Sequence, residues 1–427
     1  MDYGLIGGKL GHSYSKEIHE AFADYRYELQ ELSPEELGAF LAARPFRAVN
    51  VTIPYKEAVI PDLGEISPHA AAAGAVNTIV NRDGRLFGYN TDLYGLTALI
   101  RHAGIDISDK KVMILGTGGT SKTAQVVSRE MGAREIVIIS RNKKEGVFTY
   151  EEASKAHKDT QILLNATPAG MAPNEDGMPI DLTNFPDLSG VIDVIYHPIR
   201  TNLVLEAEKR GIPASGGLYM LAAQAAESAA LFTGMIHEEG QGTPGIRERI
   251  LEMTENAYRK VLLEKENLVL IGMPSAGKSL AGRLVSGMTG RPFVNTDDLV
   301  EEKLGEPIPG FIRREGEAAF RAVEREAVRE AAKLCGYVIA TGGGAVLDAE
   351  NVRALKRNGK LIFLRRRLEI LQPMADRPLS DTPEKLAKMY EARRPVYENA
   401  ADAVAEGCED PEETARAVLR AFRKREA

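Results

Sequence analysis

The stretch from Asn267 to Val285, NLVLIGMPSAGKSLAGRLV, constrains this chain more than any other. It reads as a buried strand, Leu268 to Ile271, then a glycine-bounded loop, then an amphipathic helix. Inside it lies G-x-x-x-x-G-K-S, at Gly272, Gly277, Lys278 and Ser279. Glycines there let backbone N–H groups curl around a phosphate, which then rests on a helix N-terminus. Lys278 supplies a point charge to the β- and γ-phosphates of a nucleotide, and Ser279 is the expected metal ligand, offering its hydroxyl to Mg²⁺. Ser275, Ala276 and Leu280 complete the cradle. A loop of this kind follows the first strand of its fold. The strand at Leu268 therefore opens a domain, and about 260 residues ahead of it form something else.

With 427 residues, the chain has room for roughly three domains, each with its own core. A net charge of −7 argues against nucleic acid or anionic membrane as a partner. No basic leader and no run of about 18 apolar residues occurs, so nothing is expected to span a membrane. Cys335 and Cys408 lie far apart, without metal-ligand spacing, and fit a reducing cytoplasm. The expected partners are small molecules; oligomeric state is left open.

The first hundred residues alternate short strands and helices, which implies an open α/β layer. Strands are read at Asp2 to Gly7, Tyr25 to Leu32 and Ala48 to Ile53, with a helix following Pro54. Polar clusters fall at the strand ends: Ser13 and Ser15, Thr52 with Lys56, Asn77, and Thr91 with Asp92. Carboxyl ends of strands are where ligands collect in such sheets. Hydroxyls, an amide, an amine and a carboxylate suit a small polyhydroxylated anion. Singly, each residue also has an ordinary reading as a cap, turn or surface group.

Together these motifs resemble shikimate dehydrogenase. S-x-S stands at Ser13 to Ser15, N-V-T-x-P-x-K at Asn50 to Lys56, A-V-N-T at Ala75 to Thr78, and N-T-D at Asn90 to Asp92. The resemblance implies that Lys56 and Asp92 are the catalytic pair and that Ser13, Ser15, Thr52 and Asn77 also bind substrate. Lys16 departs from the family's proline and puts the local turn in question.

A further strand, Lys111 to Leu115, leads into GTGGTSKT, where Gly116, Gly118 and Gly119 form a variant dinucleotide fingerprint. After the next strand comes Ser140-Arg141-Asn142-Lys143-Lys144, where an NAD enzyme would carry an acid. The cationic cluster, Arg141 above all, favours the 2′-phosphate of NADP(H). N-A-T-x-x-G-M at Asn165 to Met171 and the strand Val191 to Pro198, with its tyrosine at Tyr196, extend the resemblance to about His237. It implies that Val194 and Gly217 approach the nicotinamide, and that Tyr196 and Gln224 reach the substrate. Tyr219 replaces a usual glycine and is expected to crowd the nicotinamide edge. From Glu238 a polar Gly/Pro break precedes an amphipathic stretch, Ile246 to Val261. That stretch ends the first enzyme, packs between two, or connects them.

Beyond the phosphate loop, G-G-G at Gly342 to Gly344, R-P-L at Arg377 and R-x-P-x-Y at Arg393 resemble shikimate kinase. By that resemblance Asp297 contacts the accepting hydroxyl, while Arg321, Gly343 and Arg393 hold the substrate. Arg377 closes over the phosphates. A guanidinium fork suits a carboxylate. Asn295 stands where the family has the first aspartate of D-x-D, which bears on Mg²⁺. The lid lacks a second arginine, and the run Arg365 to Arg367 either compensates or, the reading preferred here, decorates the surface.

The expectation is an α/β chain in four parts. Residues 1–100 form a substrate-binding layer completed by a helix at 217–237. Residues 101–237 form a Rossmann-like NADP domain, 238–266 a connector, and 267–427 a P-loop kinase domain. Its function would be NADPH-dependent reduction of 3-dehydroshikimate and ATP-dependent phosphorylation of shikimate. The alternatives are a binding-only or regulatory kinase half, or a quinate-type dehydrogenase joined to another small-molecule kinase.

Overall fold

Strands β1 (Tyr3–Gly7), β2 (Tyr27–Glu31), β3 (Ala48–Val51), β4 (Glu65–Ile66), β5 (Thr78–Arg82) and β6 (Arg85–Tyr89) form a first sheet in the order β2-β1-β3-β5-β6-β4. The computed structural model describes residues 1–11, 13–22, 24–371 and 382–424. They divide into two compact units, Met1–Leu262 and Leu263–Ala427. In the first sheet β1 lies parallel to β2 and β3, while β5 is antiparallel to β3 and β6. The β5–β6 hairpin turns through Asp83 and Gly84, at φ 52° and 82°. Asp-Gly is the sequence signal for such a turn. The helix expected after Pro54 is absent, and only a 3₁₀ turn, Ile60–Asp62, forms there. Pro54 and Pro61 bracket too few residues to nucleate an α-helix.

The second sheet of this unit is wholly parallel. Strands β7 (Lys111–Leu115), β8 (Glu135–Ile139), β9 (Val147–Phe148), β10 (Ile162–Asn165), β11 (Gly190–Asp193) and β12 (Ala214–Ser215) run in the order β12-β11-β10-β7-β8-β9. Order reverses beside β7, where a ligand crevice is expected. The Ala-rich helix Leu218–Phe232 is buried along nearly its whole length. It packs against helix Asp92–His102 through Gly95, where a Cβ would stand 2.8 Å from the Met220 carbonyl oxygen. That closeness brings Gln224 beside Thr91.

The stretch the sequence left unassigned is part of one helix, Pro244–Lys265. Ile250 packs with Leu5, Tyr27, Ala226 and Phe232, and Ala257, Val261 and Leu262 pack with Tyr14, Ile18 and Leu218. Arg247 reaches the fully buried Glu227 carboxylate at 2.9 Å. Residues 244–262 therefore belong to the core of the first unit.

The second unit is built on a parallel sheet of β13 (Asn267–Ile271), β14 (Phe293–Asn295), β15 (Val338–Ala340), β16 (Gly359–Arg365) and β17 (Ala403–Glu406). Their order is β14-β15-β13-β16-β17. Central β13 is buried throughout, as its unbroken Leu-Val-Leu-Ile run requires. The phosphate loop leaves its carboxyl end and enters helix Lys278–Thr289. Among the described residues no helix is long and apolar enough to cross a membrane.

Candidate active sites

In the first unit, the carboxyl ends of β1 and β3, the start of helix Asp92–His102 and the helix Leu218–Phe232 enclose a cavity of about 310 Å³. Ser13, Ser15, Thr52, Lys56, Asn77, Asp92, Tyr196 and Gln224 all line it. Lys56 Nζ donates to Asp92 Oδ2 at 2.6 Å. The other carboxylate oxygen accepts from Asn77 Nδ2 at 2.9 Å. Asp92 is thus fixed from two sides, and it holds one of the three N–H bonds of Lys56. Ser13 Oγ lies 3.1 Å from Ser15 Oγ at the start of a helix, so both hydroxyls share one face of the cavity. Lys16 turns away, bonding the Tyr27 carbonyl and Glu20 at 2.9 and 2.6 Å.

Beneath the cavity runs a buried polar network. Thr91, Thr78 and Asn50 converge on Ser228 at 2.9–3.0 Å. Asn90 Nδ2 donates to the Ala75 carbonyl, and its backbone N–H donates to Glu239 at 2.6 Å. Glu239 also accepts from Ser67 at 2.7 Å. The segment that read as a polar break therefore tethers the loop carrying Asp92. Asp193, at the end of β11, accepts from Thr201 at 2.6 Å and Asn165 at 3.1 Å. Burial pushes its carboxyl up to about 6 despite those bonds.

On the opposite wall Val194, Gly217 and Thr120 reach the cavity. A side chain at Gly217 would meet the Val194 carbonyl, so only glycine fits. Gly116 has φ 108°, and Ser121 Oγ holds its carbonyl at 2.7 Å. Apart from the adjoining backbone, no atom of the described residues lies within 4 Å of where a Cβ would stand on Gly118 or Gly119. That open glycine surface at the start of helix Gly119–Glu130 fits a dinucleotide pyrophosphate. Gly116, Gly118, Gly119 and Arg141 do not line the cavity; Arg141 stands exposed beyond β8. Nearby Lys143 is engaged by Glu152.

In the second unit Asp297, Arg321, Gly343 and Arg393 line a cavity of about 490 Å³. Each glycine of G-G-G makes room for a different neighbour. A Cβ on Gly342 would lie 2.5 Å from Asp297 Oδ1 and one on Gly343 2.8 Å from Pro274, while one on Gly344 would strike the Arg321 guanidinium. Arg393 and Tyr397 both donate to the Gly343 carbonyl. Arg321 donates to Glu324 at 2.6 Å and to Glu317 at 2.8 Å. Burial holds the Glu324 carboxyl above its ordinary range, against the pull of Arg321. Asn295 is spent on local bonds: its carbonyl accepts from the Asp297 N–H, and its amide donates to Asp298.

The phosphate loop is wound through positive φ at Gly272 (144°), Ser275 (64°) and Gly277 (86°). Lys278 folds back to the Gly272 and Met273 carbonyls, both at 2.9 Å. A nest of N–H groups ahead of a helix fits nucleotide phosphates, with Ala276 buried under it and Ser279 and Leu280 in the first helical turn. Mg²⁺ would be held by Ser279 and by those phosphates. Arg377 lies outside the described residues.

Residues 5–79 match the model of the shikimate dehydrogenase substrate binding domain. A shikimate dehydrogenase (NADP(+)) of Clostridium perfringens is 34% identical over 251 residues, 55% of this chain and 92% of that protein. The chain belongs to the shikimate dehydrogenase family. Among solved structures, shikimate dehydrogenase 1 from Peptoclostridium difficile is 33% identical, with a TM-score of 0.52 over 60% of this chain and 99% of its own. The Thermus thermophilus enzyme, in complex with NADP(H) and shikimate, is 30% identical with a TM-score of 0.51 over 61% of this chain and 99% of its own. Residues 274–423 match the shikimate kinase family model.

Two readings need correction. Tyr219 of the dehydrogenase unit does not crowd the cavity. Its ring stacks on His102 with centroids 3.8 Å apart, and its hydroxyl donates to Glu255 at 2.8 Å. In the second unit, Arg365 is paired on the surface with Glu406 and Glu398, but half-buried Arg366 is not decoration: its guanidinium lies against Gly277. Residues the motifs missed include Lys9 and Thr120 on the cavity wall, and Ser228, Glu239 and Asp193 behind it. Of these only Asp193 had a signal, an acid ending an otherwise apolar strand.

Proposed function

We propose that the chain reduces 3-dehydroshikimate to shikimate with NADPH in its first unit and phosphorylates shikimate with ATP in its second. The observation that carries the first activity is the Lys56–Asp92 pair at 2.6 Å in a cavity opening on a glycine-built wall. NADPH supplies the hydride. Lys56 gives a proton from Nζ to the oxygen of the carbonyl being reduced, and takes it back in the reverse direction. Asp92 holds that ammonium in place and keeps its charge balanced. Ser13, Ser15, Thr52, Asn77, Tyr196 and Gln224 orient the carboxylate and ring hydroxyls. Val194 and Gly217 leave room for a flat ring, and Arg141 favours a 2′-phosphate.

In the second unit ATP supplies the phosphoryl group. Asp297 orients the attacking hydroxyl, Arg321 and Arg393 hold the substrate carboxylate, and the phosphate loop with Lys278 holds the nucleotide. The reducing setting implied by two cysteines that form no disulfide supports a cytoplasmic enzyme.

A coupled assay on the pure full chain tests this reading. Oxidation of NADPH should require 3-dehydroshikimate, and ADP should appear only with ATP and either added shikimate or that product. Absence of ADP release with shikimate would leave a dehydrogenase carrying a binding module; absence of NADPH oxidation would remove the first activity.

A further inference from the structure

We infer that Arg366 is a nucleotide-holding residue of the second unit, its guanidinium placed for the diphosphate that the loop cradles. This rests on the kinase reading above and adds to it a residue no motif supplies. Arg366 follows the end of β16, the strand beside β13, and is half-buried. Its stem runs along Gly407: a Cβ there would lie 2.8 Å from Arg366 Cγ and 3.0 Å from Nε. Its guanidinium reaches Gly277, where a Cβ would lie 3.6 Å from one terminal nitrogen and 3.8 Å from Cζ. Glycine at both places lets the arginine lie flat between the β17 exit and the phosphate loop.

The electrostatics of this position favour only one kind of occupant. Nε of Arg366 is shut off from solvent and has no hydrogen-bond partner among the described residues. Its neighbour Arg365 is neutralised by Glu406 and Glu398, whereas no ion pair is found for Arg366 among the described residues. A cation is also at the wrong end of helix Lys278–Thr289, whose first turn carries positive dipole charge. In the absence of ligand, a guanidinium there is unfavourable. An anion sitting on the loop reverses both terms, because it accepts from the guanidinium and compensates the helix end. Five N–H donors on a rigid plane suit two neighbouring phosphate groups better than one.

The test is equilibrium binding of ADP to the full-length chain, read by displacement of a fluorescent ADP analogue, for wild type, Arg366→Lys and Arg366→Met. Arg366→Met should weaken ADP by about tenfold to a hundredfold, the effect of losing charge-assisted hydrogen bonds. Arg366→Lys should fall between. AMP, which lacks the second phosphate, should lose less than ADP. Thermal unfolding of the ligand-free second unit should be unchanged or raised in Arg366→Met, since an unpaired donor and an adverse charge are removed. A packing strut would give the opposite pattern: lower stability with unchanged ADP affinity. That pattern, or equal losses for ADP and AMP, overturns the inference alone. A wild-type chain that binds no ADP overturns the kinase reading and this inference with it.

Discussion

At the scale of single residues, the first cavity rests on the ion pair of Lys56 with Asp92. Lys56→Ala should lower kcat for 3-dehydroshikimate reduction by about 10²–10⁴ and shift KM by no more than about tenfold. Steady-state kinetics at saturating NADPH decide it, and a variant retaining wild-type kcat removes Lys56 from the chemistry. A second prediction concerns His19, wholly buried and stacked on Tyr27 with centroids 4.1 Å apart. Burial pushes its imidazole down from 6.5 to about 3. The folded state keeps it neutral while the unfolded chain takes up a proton below pH 6.5, so stability from this group is lost as pH falls through that window. Asp193 acts oppositely: its carboxyl is raised to about 6, so the folded state binds a proton first and gains stability as pH falls from there. In His19→Gln the stability of the first unit, measured by urea unfolding, should improve relative to wild type by about 2 kcal/mol between pH 6.5 and pH 5. An unchanged difference across that range would place the imidazole in contact with solvent.

At the scale of elements, local motifs were legible because each is a run of backbone demands. G-x-x-x-x-G-K-S and G-G-G predict loops at strand ends, and both stand there. What local reading missed was direction. Gly217, Met220, Leu221 and Gln224 fall on one helical face and line the cavity; Tyr219, two residues from Gly217, is rotated about 200° from it and faces away. Comparing residue types without helical phase gave the wrong neighbour. Arg366 differs from Arg365 for a similar reason, since three consecutive arginines at the end of a strand do not share one environment. Asp83-Gly84 is the reverse case, a turn whose signal lies wholly in two adjacent residues. The G-G-G element also yields a test. Gly344→Ala should push Arg321 off its position and raise KM for shikimate in the kinase reaction by about tenfold to a hundredfold, with ADP affinity unchanged. Unaltered KM would mean that Arg321 does not hold the substrate.

At the scale of the whole molecule, motif order told of two enzymes, but the border between them was not readable, because an amphipathic helix does not announce what it packs against. Helix Pro244–Lys265 gives its faces up to Leu262 to the first unit, while Leu263 packs with Leu268, Val285 and Phe422. A chain beginning at Leu263 should therefore fold and bind ADP by itself, as followed by circular dichroism and nucleotide titration. In the full chain, Lys278→Ala should abolish ATP-dependent activity and leave reduction of 3-dehydroshikimate at its wild-type rate. An insoluble fragment, or a slowed reductase, would tie the two units into one folding unit.

The hydrogen bond from Ser67 to Glu239 spans 172 residues of sequence, and that separation sets a timetable. At ribosomal rates of roughly 5–20 residues per second, about 10–30 s pass between the emergence of these two partners. Once β6 has followed Ser67, the first sheet has its strands, but the loop before Asp92 still lacks the carboxylate that pins it. The nascent dehydrogenase thus waits, half-built and catalytically silent, while its dinucleotide half is still being made.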